Sequence, residues 1–516
     1  MKKTKQSRIK NTGKNFVFSM FSTLLTSILG FISRTIFIKT IGVTYLGANS
    51  LFTNVLSLLS LTELGIGSAI AFSLYKPLAE DDIETIKSLM LFYKKAYRYI
   101  AVVIAVLGCC LLPFLDFIIK DPGKMQYIPF IYLVFLYNTV ISYLFSYKTT
   151  LLSADQKSYL MTNINMLISV ITVGIQIVVL IAFENYFIYL IVGAIINTIQ
   201  WYFINRYIYK RYPYLKDRNV APLNKREKST IATNVKAMMF HKVGELCINQ
   251  TDNIIISSFI SIASVGIYNN YYMIINIINN FASSVFNSAT ASLGNLIATE
   301  SYEKRYIVFK KYNFLGFWVY GWTGICLFIL LNPFIKIWLG KDFLIDNFTL
   351  ILVIFNYYLV GMRITVGNVK MAAGLYKQDQ WAPIIQSIIN LFVSIIGAIH
   401  MGLAGVFLGT VVSSIAVPCW YRPLIVYKYA FNKKPLEYFK EYFKYLGITL
   451  ANLLLVLWLI IKFINPLKIS IYSSFILKGL VCLLIPNIII IIIFRNTEEF
   501  KFLELIVKRV FNRGVN

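Results

Sequence analysis

The sequence has little charge and almost no histidine. Charged residues make up 14% of its 516 positions, and only two residues are histidine. A soluble protein of this length would form two or three domains and carry far more charge on their surfaces. The scarcity of charge therefore excludes an ordinary soluble globular fold.

Several motifs that carry chemistry are also missing. The six cysteines form no CxxC pair and no spacing with histidine, which argues against a zinc motif or a disulfide framework. No GxxxxGK[ST] sequence is present, which disfavours direct hydrolysis of ATP. No loop is long enough or suitably acidic for a glycosyltransferase or a glycan polymerase. We therefore expect no catalytic residues, no metal site and no bound cofactor.

Long apolar segments fill the chain instead. Hydrophobic residues make up 58% of it, and the mean hydropathy is +0.66. Runs of about eighteen apolar residues cross roughly 30 Å of hydrocarbon as a helix. Some runs, such as 488–493, consist of β-branched residues, but unpaired strands cannot cross a bilayer. The sequence predicts an all-α integral membrane protein.

About fourteen transmembrane helices are predicted from these segments. They begin near Asn15, Gly47, Tyr97, Tyr127, Ser158, Tyr186, Ser229, Val265, Asn313, Asn347, Trp381, Gly402, Tyr445 and Ser474. The net charge of +27 lies mainly in alternate loops, above all the connector 206–228, and in the C-terminal tail. By the positive-inside rule, both termini are expected in the cytoplasm. The same rule accounts for the basic charge without a nucleic-acid partner.

The two halves of the chain resemble each other weakly. Leu46-Gly47 corresponds to Val265-Gly266, and Pro113-Phe114 to Pro333-Phe334. About six spans separate equivalent positions, which makes the halves parallel, pseudo-symmetric repeats. We therefore predict a six-helix N-terminal lobe (1–210), a cytoplasmic basic linker (211–228), a six-helix C-terminal lobe (229–430), and two further helices with a basic tail (431–516). Two such lobes suit alternating access.

Three local stretches resemble the polysaccharide-transporter branch of the multidrug/oligosaccharidyl-lipid/polysaccharide exporter superfamily. The first combines RTIFIKTIG (34–42), YLGANSLF (45–52) and LTELGIGSA (61–69). The second combines DNIIIS (252–257) and VGIYNNY (265–271), and the third is GLAGVFLGT (402–410), a common small-residue helix-packing pattern. The drug-and-toxin extruder branch typically has twelve spans, so the extra C-terminal pair favours the lipid-flippase branches.

The resemblance implies a flippase for undecaprenyl-diphosphate-linked oligosaccharides in the bacterial cytoplasmic membrane. Such a protein serves the biosynthesis of cell-surface polysaccharide, with glycosyltransferases and a polymerase of the same pathway as candidate partners. Two alternatives within the superfamily stay open: a cation-coupled multidrug extruder and a lipid II flippase. The sequence identifies neither the glycan nor the energy source.

Ionisable residues inside the spans are the candidate site residues, because a charge in the bilayer costs about 2.5–3.5 kcal/mol on insertion scales. Arg34, Lys242, Arg363 and Lys370 are expected to line a central cavity and to neutralise a diphosphate. The alternative is that these cations form structural ion pairs or extend to the membrane interface.

Three carboxylates are candidate sites for coupling transport to Na⁺ or H⁺: Glu63, Glu245 and Asp252. Structural pairing with the neighbouring cations is the alternative for each. Glu63 shares one predicted face of the second span with Asn49, Thr53 and Ser60. Such a face is expected to point towards a cavity or a partner.

Overall fold

A computed structural model describes residues 5–63, 66–123, 125–155, 157–217, 220–223, 225–288 and 290–513. This described part is helical, and no strand occurs in it. By the packing of its residues the chain divides into two compact units, unit 1 (residues 1–266) and unit 2 (residues 267–516). The all-α prediction is confirmed.

Unit 1 contains ten complete helices and the start of an eleventh. They are α1 (Lys5–Thr40), α2 (Val43–Leu59), α3 (Ile66–Glu80), α4 (Ile83–Cys110), α5 (Leu115–Ile118), α6 (Ile128–Ser146), α7 (Thr149–Ala154), α8 (Ser158–Phe183), α9 (Tyr186–Arg211), α10 (Lys225–Phe259) and the first residues of α11 (Ile262–Ser288). Short 3₁₀ helices at Ser60–Glu63, Leu112–Phe114 and Pro213–Lys216 connect some of them.

Packing in unit 1 brings together helices that are far apart in the chain. Helix α1 packs on α8, α4 on α6, α6 on α9, and α10 on both α2 and α3. Large side chains such as Phe52, Tyr93 and Tyr132 are almost fully buried between these helices. The remaining faces expose apolar side chains, as expected for helices that meet lipid.

The glycines Gly47 and Gly266, which the sequence comparison matches as equivalent positions, touch each other's segments in unit 1. A side chain on Gly47 would collide with the carbonyl of Ile262, at the start of α11. A side chain on Gly266 would collide with the carbonyl of Val43, at the start of α2. Each glycine thus allows the backbone of the other segment to approach closely.

Unit 2 contains the rest of α11 and ten further helices. They are α12 (Thr290–Thr299), α13 (Tyr302–Trp338), α14 (Asn347–Met362), α15 (Ile364–Ala372), α16 (Ala382–Met401), α17 (Leu403–Ala416), α18 (Pro418–Val426), α19 (Leu436–Leu459), α20 (Ile471–Phe494) and α21 (Glu498–Arg513). A 3₁₀ turn at Lys341–Phe343 and π-helical turns at Tyr427–Phe431 and Ile460–Ile464 complete it.

Helix α13 is the centre of unit 2 and packs against α14, α19, α20 and α21. Helices α16 and α17 form a tight hairpin, because Gly397 and Gly405 bring their backbones into direct contact. Gly409 lies equally close to Ser394 on the facing helix. The stretch 402–410 is thus a helix-packing motif, as predicted.

Polar caps define where several helices begin. The side chains of Asp82, Asn185, Ser301, Asp346 and Ser470 each accept a hydrogen bond from a backbone N–H in the first turn of α4, α9, α13, α14 and α20, respectively. Such caps satisfy donors that have no partner within the helix. They fix the starts of helices whose apolar sequences alone specify no boundary.

Eleven helical segments in the described part are long and apolar enough to cross a membrane. They comprise α1, α4, α6, α8, α9, α13, α14 with α15, α16, α17 with α18, α19 and α20. The three other predicted spans begin near Gly47, Ser229 and Val265. The first corresponds to the short helices α2 and α3, and the other two correspond to the more polar helices α10 and α11. The count of fourteen and the cytoplasmic placement of both termini stay predictions.

The predicted lobe boundary lies in the linker 211–228, whereas the compact units divide after Gly266. Helix α10 belongs to unit 1 because it packs on α2 and α3. A division by packing does not decide where the duplicated segment begins. The four predicted domain ranges therefore stay predictions.

Candidate functional site

Unit 1 contains an open cavity of about 740 Å³, here called the polar cavity. Its walls come from α2, the adjoining turn, α6, α8 and α9, and most of its lining side chains are neutral hydrogen-bonding groups or aromatic rings. The lining residues are Asn49, Thr53, Leu56, Ser57, Ser60, Phe135, Asn138, Thr139, Ser142, Tyr143, Thr172, Gln176, Tyr189, Leu190, Gly193, Asn197 and Trp201. None of these side chains carries a formal charge.

The lining residues recur at a spacing of about four along each helix, which places them on one face. On α9 they are Tyr189, Gly193, Asn197 and Trp201. On α8 they are Thr172 and Gln176, and α6 and α2 contribute similar rows. Polar groups are costly against lipid, so these rows turn inward and meet across the cavity.

Hydrogen bonds between the helices hold parts of the lining in place. The Asn197 amide donates to Asn138 Oδ1 at 2.9 Å, which joins α9 to α6. The hydroxyl of Tyr186 donates to Asn49 Oδ1, which joins α9 to α2. At Gly193 a side chain would lie 2.9 Å from Gln176 Nε2, so glycine leaves room for that amide.

Glu63 lies beside the polar cavity, at the end of the 3₁₀ turn after α2. Its Oε1 accepts a hydrogen bond from the Tyr97 hydroxyl, and its Oε2 accepts one from the Tyr143 hydroxyl at 3.4 Å. The Tyr93 hydroxyl donates to that of Tyr97 at 3.0 Å and lies 3.1 Å from Thr150 Oγ1. A single carboxylate is therefore surrounded by hydroxyl groups, and Tyr143 connects it to the cavity wall.

Arg34 lies on α1 and is half-buried. Its charge interacts with Tyr189, which lines the polar cavity. The structure thus places this predicted site residue next to the cavity of unit 1.

Arg363 is buried in unit 2, at the junction of α14 and α15. Its Nη1 donates to the Ser414 carbonyl at 3.1 Å and lies 3.3 Å from Cys419 Sγ. The guanidinium therefore connects α14 to α17 and α18. Its role in substrate binding stays a prediction.

Lys370 forms an ion pair with Asp379, a fully buried carboxylate in the turn between α15 and α16. Arg422 Nε lies 3.5 Å from the same carboxylate, and its charge also interacts with that of Arg363. Unit 2 thus places two cations, Lys370 and Arg422, on one buried acid. A role for Lys370 in substrate binding would require this ion pair to open.

The other predicted site residues lie on α10. The side chains of Lys242 and Glu245 lie outside the described residues. Asp252 is half-buried near the end of this helix. Their assignments to substrate binding and ion coupling stay predictions.

The segment that builds the polar cavity matches a known protein family. The family model described as "Polysaccharide biosynthesis protein" matches residues 12–291, more than half of the chain. This chain belongs to the polysaccharide biosynthesis protein family. The resemblance inferred from the sequence is therefore confirmed.

Other members and solved structures agree with this placement. A putative O-antigen export protein of Yersinia pseudotuberculosis is 24% identical over 220 residues, which are 42% of this chain and 49% of the relative. The chain therefore spans about half the length of that curated relative. The lipid II flippase MurJ in an inward closed conformation superposes with a TM-score of 0.66 at 15% identity, over 93% of this chain and 99% of MurJ.

A mutant of the Vibrio cholerae MATE transporter VcmN has a TM-score of 0.59 at 15% identity, over 84% of this chain and 99% of VcmN. Identities this low show a shared fold. This family member is accordingly a multi-pass membrane protein with the fold of flippases and MATE transporters.

Much of the polar cavity was not predicted from the sequence of this family member. The predicted face with Asn49, Thr53 and Ser60 lines the cavity. Asn138, Gln176, Asn197 and Trp201 were not predicted as site residues. The signal was present, because polar residues recur at a spacing of four within otherwise apolar spans.

Proposed function

We propose that this protein flips an undecaprenyl-diphosphate-linked oligosaccharide across the bacterial cytoplasmic membrane by alternating access, for biosynthesis of cell-surface polysaccharide. The polar cavity of unit 1 is the observation that carries the proposal. The family membership and the name of the O-antigen export relative support it. Glycosyltransferases and a polymerase of the same pathway are the proposed partners.

The lining of the polar cavity matches the chemistry of a glycan. Each sugar hydroxyl can both donate and accept a hydrogen bond, as can the amide and hydroxyl side chains of the cavity. Rings such as Trp201 and Tyr189 offer flat apolar faces to the C–H faces of a sugar. A volume of about 740 Å³ is in the range of small-molecule sites and accommodates one or more sugar rings.

The same lining argues against an extruder of cationic drugs. A lipophilic cation is best held by carboxylates, and among the residues that the structure describes no aspartate or glutamate lines the polar cavity. Glu63 lies beside the cavity but is already surrounded by tyrosine hydroxyls. We propose that Glu63 couples transport to Na⁺ or H⁺, while Arg34 adds positive charge near the cavity for an anionic lipid.

Removal of two amides from the polar cavity tests the glycan assignment. In the double variant Gln176→Leu/Asn197→Leu, we expect the flipping rate of a lipid-linked oligosaccharide in proteoliposomes to fall about tenfold or more. Each lost hydrogen bond weakens binding by about 0.5–1.5 kcal/mol, and leucine keeps the volume similar. The exposed Asn465, outside the cavity, gives the matched control Asn465→Leu, which should flip at the wild-type rate.

Equal rates for the double variant and the wild type would contradict the role of the cavity. A wild-type protein that transports a lipophilic cation but no lipid-linked oligosaccharide would favour the multidrug alternative. Flipping of lipid II alone, without other lipid-linked glycans, would favour the alternative that the protein is a lipid II flippase.

Neutralising Glu63 tests ion coupling. The variant Glu63→Gln keeps an oxygen that accepts from Tyr97 but removes the charge that binds a cation or proton. We expect transport to lose its response to an imposed Na⁺ or pH gradient and its rate to fall about tenfold. Flipping would be followed in proteoliposomes with and without each gradient.

Gly67→Ala provides a comparison for the Glu63 variant, because its new methyl group would lie 2.6 Å from Glu63 Oε1 and disturb the site without removing charge. This variant should be slower but should still respond to the gradient. A Glu63→Gln protein that retains the wild-type gradient response would rule out coupling through this carboxylate.

A further inference from the structure

Unit 1 contains a second cluster of polar groups, one to two helical turns beyond the polar cavity towards the C-terminal ends of α6 and α9, which we call the basic pocket. It is a cavity of about 70 Å³ between α4, α9 and the segment that follows α6. Its lining includes Lys87, Lys94, Tyr147, Lys148, Tyr209 and Asp217. None of these residues belongs to the site described above.

Positive charge exceeds negative charge in this pocket. Lys87 is neutralised by Asp217, whose Oδ2 lies 2.8 Å from its ammonium group. In contrast, no carboxylate among the described residues lies within ion-pair distance of Lys94 or Lys148, and the same holds for the neighbouring Arg98. Three cations therefore share one region without an acid partner.

Lys148 is the most buried of these cations, with 5% of its surface exposed. Its ammonium group donates to Asn205 Oδ1 and lies 4.0 Å from the centre of the Tyr209 ring. Burial, together with the positive charges of Lys94 and Arg98, lowers the pKa of Lys148 to about 8. A bound anion would relieve this unfavourable arrangement and favour the charged form.

The basic pocket continues the helix faces that line the polar cavity. On α9, Trp201 lines the cavity, while Asn205 and Tyr209 follow at successive spacings of four. On α6, Tyr143 lines the cavity, and Tyr147 follows one turn later, at its end. Trp201 and Tyr209 are eight residues apart on α9, a rise of about 12 Å, so a ligand that occupies both sites must be at least about that long.

We propose that the basic pocket binds the diphosphate of the transported lipid while the attached sugar occupies the polar cavity, an inference that rests on the proposed function. The small volume suits a phosphate group rather than a sugar ring. Ammonium and guanidinium groups bind phosphate oxygens through short, charge-assisted hydrogen bonds. The neutral amides of the cavity then meet the uncharged part of the same substrate.

Binding of a polyprenyl diphosphate that lacks sugar tests the basic pocket directly. The full chain would be held in nanodiscs, and binding would be measured for the wild type and for Lys94→Gln/Lys148→Gln. We expect the double variant to bind at least about tenfold more weakly, because two charged hydrogen-bond donors are lost. Lys148→Arg keeps the charge and should retain most of the affinity.

Lys95→Gln is the matched charge control, because Lys95 is exposed, follows Lys94 on α4 and does not line the pocket. It should bind like the wild type. Unchanged affinity in the double variant would overturn the inference. Equal competition by phosphatidylglycerol would also overturn it, because the pocket would then hold a phospholipid headgroup and not the substrate.

A parallel flipping assay separates this inference from the proposed function. If the wild type flips a lipid-linked oligosaccharide and the double variant does so equally well, the phosphate subsite is wrong and the proposed function stands. If the wild type flips no lipid-linked glycan but binds inorganic pyrophosphate through Lys94 and Lys148, the proposed function is wrong. That result would still support a phosphate-binding pocket.

Discussion

Replacing Asp379 with asparagine is expected to destabilise the folded protein by about 3–5 kcal/mol, the typical cost of removing one partner from a buried ion pair. Asp379 is fully buried, and Lys370 exposes only 7% of its surface. Arg422 also depends on this carboxylate, at 3.5 Å. Without it, two cations would face each other with no opposite charge between them.

The measurement is thermal unfolding of the detergent-solubilised protein. Asp342 is an exposed acid in the loop between α13 and α14 of the same unit, so Asp342→Asn is the matched control and should change stability by less than about 0.5 kcal/mol. Lys370→Met combined with Asp379→Asn should lose less stability than Asp379→Asn alone, because the uncompensated ammonium group is gone. A single variant as stable as the wild type would show that the ion pair contributes little.

This double variant also addresses the predicted role of Lys370 in substrate binding. If stability returns and transport returns with it, Lys370 serves the fold of unit 2. If stability returns while transport stays low, Lys370 contributes to the substrate pathway as the sequence predicts. The two roles are thus separated by measuring unfolding and flipping on the same protein.

Adding a single methyl group at Gly47 should also have a large effect. In Gly47→Ala, the new carbon would meet the backbone carbonyl of Ile262, which cannot rotate away as a side chain would. We expect a loss of about 1–3 kcal/mol, the range seen when a tightly packed site is overfilled. Gly266→Ala should lose a similar amount, because it meets the carbonyl of Val43 in the equivalent contact.

Gly174→Ala on α8 is the control, because a methyl group there would touch nothing within 4 Å. Alanine has the higher helix propensity, so this variant should be neutral or up to about 1 kcal/mol more stable. Thermal unfolding compares the three variants. A Gly47→Ala protein as stable as Gly174→Ala would contradict the close backbone contact between α2 and α11.

Much of the fold was predictable, because a bilayer imposes simple rules on sequence. Long apolar segments predicted the membrane helices, and most of these were found close to their predicted starts. Spans were also predicted near Ser229 and Val265, but helices α10 and α11 carry too many polar residues to be among the eleven segments that are apolar enough to cross a membrane. Side chains shielded by protein need not be compatible with lipid.

The candidate site was predicted only in part. Helical periodicity placed Asn49, Thr53, Ser60 and Glu63 on one face of the second span. Asn49, Thr53 and Ser60 line the polar cavity, whereas Glu63 lies beside it. The partner of Lys370 was not predicted, although Asp379 follows only nine residues later. The turn between α15 and α16 brings the two together, and periodicity within a helix carries no information about a turn.

The sequence by itself determined that this protein lies in a membrane as a bundle of helices, and its local stretches indicated the family. These properties follow from composition and short-range pattern, because each helix must satisfy its own backbone in lipid. Only the tertiary structure decided which polar faces meet. The polar rows on α2, α6, α8 and α9 come from distant parts of the chain, and the packing of these helices joins them into one cavity with an uncharged lining. The basic pocket follows this cavity along α6 and α9.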